Sequence, residues 1–297
     1  MRRRTFLSLI AGGLLLTGLQ GSASPTPPTG FLGAYSWRMD DPRFGGFSGL
    51  EISDDGSSFV ALSDTAVFVK GQILRDATGK ITSVTAGAPV KLKVIKIKRN
   101  YNVNTDSEGL AQAADGSFYV SFEGRSRVVH YPDLAGEGEE LPIPSDFVAM
   151  AKNGSLEALA IAPDGTLFTL AEGDTSTPDR KLYRFKDGQW NADLSIQTRG
   201  EFLPVGADFG PDGRLYLLER AFYGLAGFAS RLRRFDVTPT GISNEVTLLQ
   251  TPKGLFDNFE GVAIWRNPAG KLVASMVSDD NFMFFLRTQI AEFELPD

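Results

Sequence analysis

The stretch "SEGLAQAADGSFYVSFEG", residues 107–124, decides the fold. An apolar run opens beside a glutamate, reaches Asp115-Gly116, and returns as a second apolar run that ends on another glutamate. Asp-Gly between alternating apolar residues signals a tight β-hairpin, because both central turn residues need positive φ. The unit recurs as "FSGLEISDDGSSFVALSD" (47–64), "LEALAIAPDGTLFTLAEG" (156–173), "VGADFGPDGRLYLLER" (205–220) and "FEGVAIWRNPAGKLVASMVSDD" (259–280). Asp55-Gly56, Asp164-Gly165 and Asp212-Gly213 repeat the turn, and Ala269-Gly270 replaces it in the last copy.

A third apolar strand follows each hairpin: "AVFVKG" (66–71), "RVVHYP" (127–132), "KLYRFKDG" (181–188), "SRLRRFDV" (230–237) and "QIAEFEL" (289–295). A more polar fourth strand is expected at "KLKVIKIK" (91–98), "EELPIP" (139–144), "LSIQTRG" (194–200) and "EVTLLQT" (245–251). Four antiparallel strands per repeat describe the blade of an all-β propeller. The turn glycines at 56, 116, 165, 213 and 270 have a mean spacing of 53.5 residues, which gives five blades over residues 31–297. The last repeat lacks a fourth strand, and "FLGAYSW" (31–37) can supply it, closing the ring and removing an exposed sheet edge. A six-bladed ring with a degenerate blade around residues 70–105 is the alternative.

Composition narrows the chemistry. The chain has 297 residues, no cysteine and a single histidine, His130, in a strand-like stretch. Disulfides, zinc–thiolate centres, cysteine nucleophiles and multi-histidine metal sites are thereby excluded. "RRRTFL" (2–7), the apolar run 9–19 and "GSAS" (21–24) make residues 1–23 a signal peptide, which also resembles the twin-arginine export signal. A Pro-rich linker, 24–30, follows. Export to a bacterial periplasm is expected, with no stable membrane insertion once the signal is removed. Losing residues 1–23 and their three arginines leaves 27 basic against 36 acidic residues, which disfavours nucleic acid as a partner. A closed ring needs no partner, so a monomer is expected.

Eight residues before each turn glycine stand Ser48, Glu108, Glu157 and Val205; the longer fifth copy gives Glu260. The next residue is always Gly or Ala, as an inner strand crowded against its neighbours requires. These positions open the strand that lines the channel. The second strand returns to the same face, ending at Ser63-Asp64, Glu123, Glu172, Glu219-Arg220 and Asp279-Asp280-Asn281. Two tiers of acidic groups should therefore meet at one mouth. Carboxylates about 7 Å apart at an effective dielectric of about 20 repel by roughly 2–2.5 kcal/mol per pair, so a proton, a cation or an arginine must compensate. Oxygen-only ligands select a hard cation, Ca²⁺ or else Mg²⁺. Arg125, Arg127, Arg180 and Arg220 lie close by in sequence and can pair with carboxylate or phosphate.

The ordered set "FSGLEIS", "DSEGLA", "SLEALA" and "NFEGVAIW…MVSDDNF" resembles a bacterial family called phytase-like, or esterase-like activity of phytase. The resemblance spans about residues 31–295. It implies an exported propeller that hydrolyses phosphate or carboxylate esters of small molecules. On it, Glu108, Glu157, Glu260, Asp279 and Asp280 would hold the metal, with Arg125, Arg127 or Arg220 receiving phosphate. Asn281 joins the expected substrate-binding set, and Glu172 or Asp64 would take a proton from water. The competing expectation is a non-catalytic binding propeller, its carboxylates architectural or holding a structural Ca²⁺.

Overall fold

The computed structural model describes residues 25–93, 105–151 and 153–296. The expected signal peptide, and most of the expected fourth strand at 91–98, lie outside the described residues.

Five antiparallel sheets form five blades. Blade 1 runs Phe47–Ile52, Ser58–Ser63, Val67–Arg75 and Ile81–Ala86, with Val90–Lys91 added to its third strand. Blade 2 runs Ser107–Gln112, Phe118–Phe122, Arg127–Tyr131 and Glu139–Glu140. Blade 3 runs Leu156–Ile161, Leu167–Ala171, Asp179–Lys186 and Gln189–Gln197; blade 4 runs Leu203–Phe209, Leu215–Phe222, Phe228–Thr238 and Gly241–Gln250. Blade 5 takes Asn258–Arg266, Leu272–Asp279 and Gln289–Glu294, and its outer strand is Phe31–Ser36. The first strand of the chain thus closes the ring on the last, with Ala34 opposite Ala291.

The six-bladed alternative is overturned: the described residues form five blades, and those between 70 and 93 add strands to blade 1 rather than a sheet of their own. The fourth strand of blade 1 is Ile81–Ala86 rather than 91–98. The turn before it is fixed by Asp76, whose carboxylate accepts the backbone N–H of Thr78 and Lys80, while Gly79 donates to the Asp76 carbonyl. That longer turn lacks the Asp-Gly signature by which the other hairpins were read. In blade 2 the outer strand shrinks to Glu139–Glu140, and a short helix, Ser145–Ala149, follows.

The core is divided as the ring demands. Five main apolar clusters fill the five wedges between neighbouring blades, such as Val205, Leu218, Phe259 and Met276 between blades 4 and 5. A smaller one joins Phe202, Ala221 and Ala229. Towards the axis there is no room for side chains. A Cβ on Gly206 would stand 2.4 Å from the Glu260 carbonyl oxygen, and one on Gly109 would stand 2.8 Å from that of Glu157.

Each inner strand also breaks register at the same place: between Phe47 and Gly49, Ser107 and Leu110, Leu156 and Ala158, Pro204 and Gly206, and Phe259 and Gly261. The residues passed over are Ser48, Glu108 together with Gly109, Glu157, Val205 and Glu260. A bulge bends the strand and re-aims one side chain, and bulges gather at the rims of closed sheets. The repeated glutamate position is therefore a bulge position.

Candidate active site at the mouth of the channel

The inner strands start, and the second strands end, on one face. There the carboxylates of the repeats divide into two groups.

The first group is organised by Arg220, at the end of the second strand of blade 4. Its guanidinium donates to Asn258 Oδ1 at 2.8 Å, to Glu172 Oε1 at 2.8 Å, and to Glu260 Oε1. One side chain thus ties blades 3, 4 and 5 together. Burial alone would lower the Arg220 pKa, but Glu260, Glu172 and Glu157 outweigh it and hold the group above its ordinary value. Asn258 also donates to Glu260 Oε1 at 2.8 Å and stands 3.5 Å from Asp279 Oδ2. Glu260 is 1% exposed, and its Oε2 has no hydrogen-bond partner among the described residues. The arginine is thus the compensating charge for these carboxylates. The loop carrying Glu172 is pinned from behind by Arg180, which is buried and donates to the carbonyls of Glu172 and Asp174.

The second group lies in blade 2. Asp106, Glu108 and Glu123 each offer a carboxylate oxygen, and the three atoms lie within 4.8 Å of one another. Glu108 and Glu123 are buried, while Asp106 is half-buried and opens the group towards solvent. Backbone bonds hold the arrangement: Glu123 N donates to the Asp106 carbonyl at 3.0 Å, and Gly154 N donates to Glu123 Oε2 at 2.8 Å. Three hard oxygen donors at this spacing suit Ca²⁺ or Mg²⁺. Asp64 lies beside them, its carbonyl accepting the N–H of Ser107 at 3.1 Å.

The remaining candidates have other surroundings. Asp279 is buried and accepts the N–H of Asn281 at 2.6 Å. Asp280 turns away from the Arg220 group: Oδ1 accepts the N–H of Gly46 and of Phe282, both at 3.0 Å, and Oδ2 accepts the Thr288 hydroxyl at 2.9 Å. Asn281 serves as a left-handed turn residue, φ 48°. Arg125 makes a two-pronged pair with Glu140 on the outer strand of its own blade. Arg127 packs its guanidinium 4.2 Å from the Phe122 ring centroid and is 2% exposed. Burial, with the Arg125 charge adding to it, lowers the Arg127 pKa to about 10 against the opposing pull of Glu140. Glu219, next to Arg220, points into blade 4, where Arg231 and Arg233 bind its carboxylate at 2.5–2.8 Å.

Sequence reasoning did not select Asp106, Glu123 or Asn258 as site residues, although "DSEGLA" and "SFEG" contain the first two. It also passed over a carboxylate pair at the far end of the channel. There Glu51 accepts the N–H of Gln112 at 3.0 Å and Asp208 accepts that of Ile264 at 2.6 Å. Burial raises Asp208 to about 7; burial and the Asp208 charge push Glu51 well above its usual range. A cleft on that side, about 580 Å³ between blades 1 and 2, is lined by Glu51, Lys70 and Phe118 among others and shares no residue with the mouth groups.

No curated protein sequence matches the chain. Among solved structures it resembles the PQQ-bound aldose sugar dehydrogenase of Streptomyces coelicolor, at 14% identity and TM-score 0.45, covering 91% of this chain and 100% of that one. It also resembles a gluconolactonase of Xanthomonas campestris, at 13% identity and TM-score 0.41, covering 80% and 69%. A virginiamycin B lyase of Staphylococcus aureus stands at 13% identity and TM-score 0.43, covering 89% and 75%. Likenesses this distant carry no argument about activity. The sequence itself is decisive on kinship: it matches the phytase-like family, described as esterase-like activity of phytase, over residues 42–282, well over half of its length, and the chain belongs to that family.

Proposed function

We propose that this protein is an exported, metal-dependent hydrolase of phosphate or carboxylate esters, acting at the acidic mouth of the propeller. The observation that carries the proposal is the blade 2 group, in which Asp106, Glu108 and Glu123 bring three carboxylate oxygens within 4.8 Å of one another. Their donor set fits a hard divalent cation, Ca²⁺ first. Such a cation supplies Lewis-acid polarisation of the ester oxygen and a bound water of lowered pKa. Glu157 and Glu260, read from the sequence as ligands, both act on the Arg220 charge, Glu260 by a direct bond, and serve better to hold the ring and shape the mouth. Glu172 is likewise engaged by Arg220, at 2.8 Å. Asp64 is the better general base, half-buried and hydrogen-bonded to the segment that carries the metal group. Export to the periplasm rests on the basic start and apolar run of residues 2–23.

The test is metal analysis of purified protein followed by hydrolysis of nitrophenyl phosphate and nitrophenyl acetate with and without chelator. Bound calcium, chelator-sensitive turnover and its loss in Glu108→Gln and Glu123→Gln at unchanged folding are expected. Bound calcium without turnover across the ester panel makes the protein a binding propeller instead.

A further inference from the structure

A cleft of about 510 Å³ opens on the mouth face, between the segment that leads from the closing strand into blade 1 and the loop 280–288 of blade 5. Its walls include Trp37, Phe44, Phe282 and Phe284, with Arg38 and Arg287 at the rim. The size is that of a small-molecule site, and the lining is mixed, the aromatic rings sharing it with Ser36, Asp280 and Thr288 as well as the two arginines. Arg287 is engaged by Asp257 at 2.8 Å, whereas Arg38 is exposed and has no ion-pair partner among the described residues.

The loop is built rigidly around this cleft. Asp280 clamps it through Gly46, Phe282 and Thr288. Asn281 and Phe282 are consecutive left-handed residues, φ 48° and 52°. A bulky aromatic residue is strained in that conformation, and glycine would relieve it. Phe282 is nonetheless 49% exposed, so burial does not offset the strain, and residues held this way gather at ligand sites. The Phe282 ring edge and Asp64 Oδ1 each lie 2.5 Å from the point where a Cβ on Gly46 would stand, so the cleft wall adjoins the carboxylate proposed as base.

We infer that this cleft binds an amphiphilic anion, its aryl or acyl part against Phe282, Phe284 and Phe44 and its anionic group at Arg38. Resting on the hydrolase reading above, this makes the substrate a small ester that joins an apolar group to a neighbouring negative charge, rather than a polyphosphate.

The experiment is equilibrium binding of anilinonaphthalene sulfonate, a fluorescent aryl anion, to the whole protein in excess chelator, where metal-dependent turnover is silent. One site per chain is expected. Phe282→Gly should fold at least as stably as the parent yet bind about tenfold more weakly, and the exposed Arg38→Gln should weaken binding severalfold. Unchanged binding in both variants overturns the inference. If no ester is hydrolysed while dye binding follows these residues, the hydrolase reading falls and the amphiphile site stands. If naphthyl phosphate is hydrolysed with the same KM by Phe282→Gly and the parent, the cleft is not the substrate's subsite and the inference is overturned.

Discussion

Replacing Arg220 with methionine tests whether an arginine, rather than a metal, holds the axial carboxylates together. The substitution keeps an unbranched stem but removes a guanidinium bound to Glu172, Asn258 and Glu260. Glu260 is 1% exposed and would lose its charged partner, a loss of about 1.5–3 kcal/mol for a buried charge-assisted bond. The Glu172 side chain is 14% exposed and can rehydrate, so its share is smaller, about 1 kcal/mol. The expected loss is therefore about 2.5–4 kcal/mol, which overlaps the range for breaking a buried pair from one side. Urea unfolding at pH 8, followed by tryptophan fluorescence, measures it. Adding Glu260→Gln to Arg220→Met should recover at least about 1 kcal/mol at pH 8. A loss below about 1 kcal/mol, or no recovery in the double variant, refutes the role given to Arg220.

Other outcomes follow from the same geometry. Asp208 has its folded pKa raised to about 7, so its neutral form is favoured, and its contribution to stability, full below the ordinary carboxylate range, is lost as pH rises through about 7. Asp208→Asn should consequently gain stability relative to the parent between pH 5 and pH 8, by up to about 1.4 kcal/mol per pH unit; parallel pH profiles in urea melts refute this. Asp280→Ala removes three hydrogen bonds that clamp loop 280–288, and should speed backbone hydrogen exchange at residues 281–286 without altering calcium affinity. Slowed or unchanged exchange contradicts the clamp. Gly206→Val should prevent folding, since its Cβ would stand 2.4 Å from the Glu260 carbonyl oxygen, whereas Gly213→Ala, at a turn with open space around it, should cost only about 1 kcal/mol; similar melting temperatures for the two would refute the close approach of blades 4 and 5.

The circular architecture was written locally. Asp-Gly turns, alternating strands and a small residue one place after the repeated acidic position are short-range signals, and five copies at near-constant spacing leave little else for the chain to build. The closure by residues 31–36 was legible because an unfilled fourth-strand place and an unassigned strand stood at opposite ends of the chain. The fourth strand of blade 1 was missed because Asp76 makes its turn without an Asp-Gly pair.

That acidic side chains converge on one mouth also followed from the repeat, since equivalent positions in a ring share a face. How they divide did not. Arg220 reaches partners 48, 38 and 40 residues away, in two other blades, and no spacing along the chain encodes that reach. The same holds for Asp280, which reads as one more carboxylate of the acidic run yet is used up by backbone N–H groups of two loops. Periodicity fixes which residues face the opening, because it is a property of the backbone. Which of them carry a counter-ion, a backbone bond or an open lone pair depends on side-chain contacts between blades, and only the folded ring sets those.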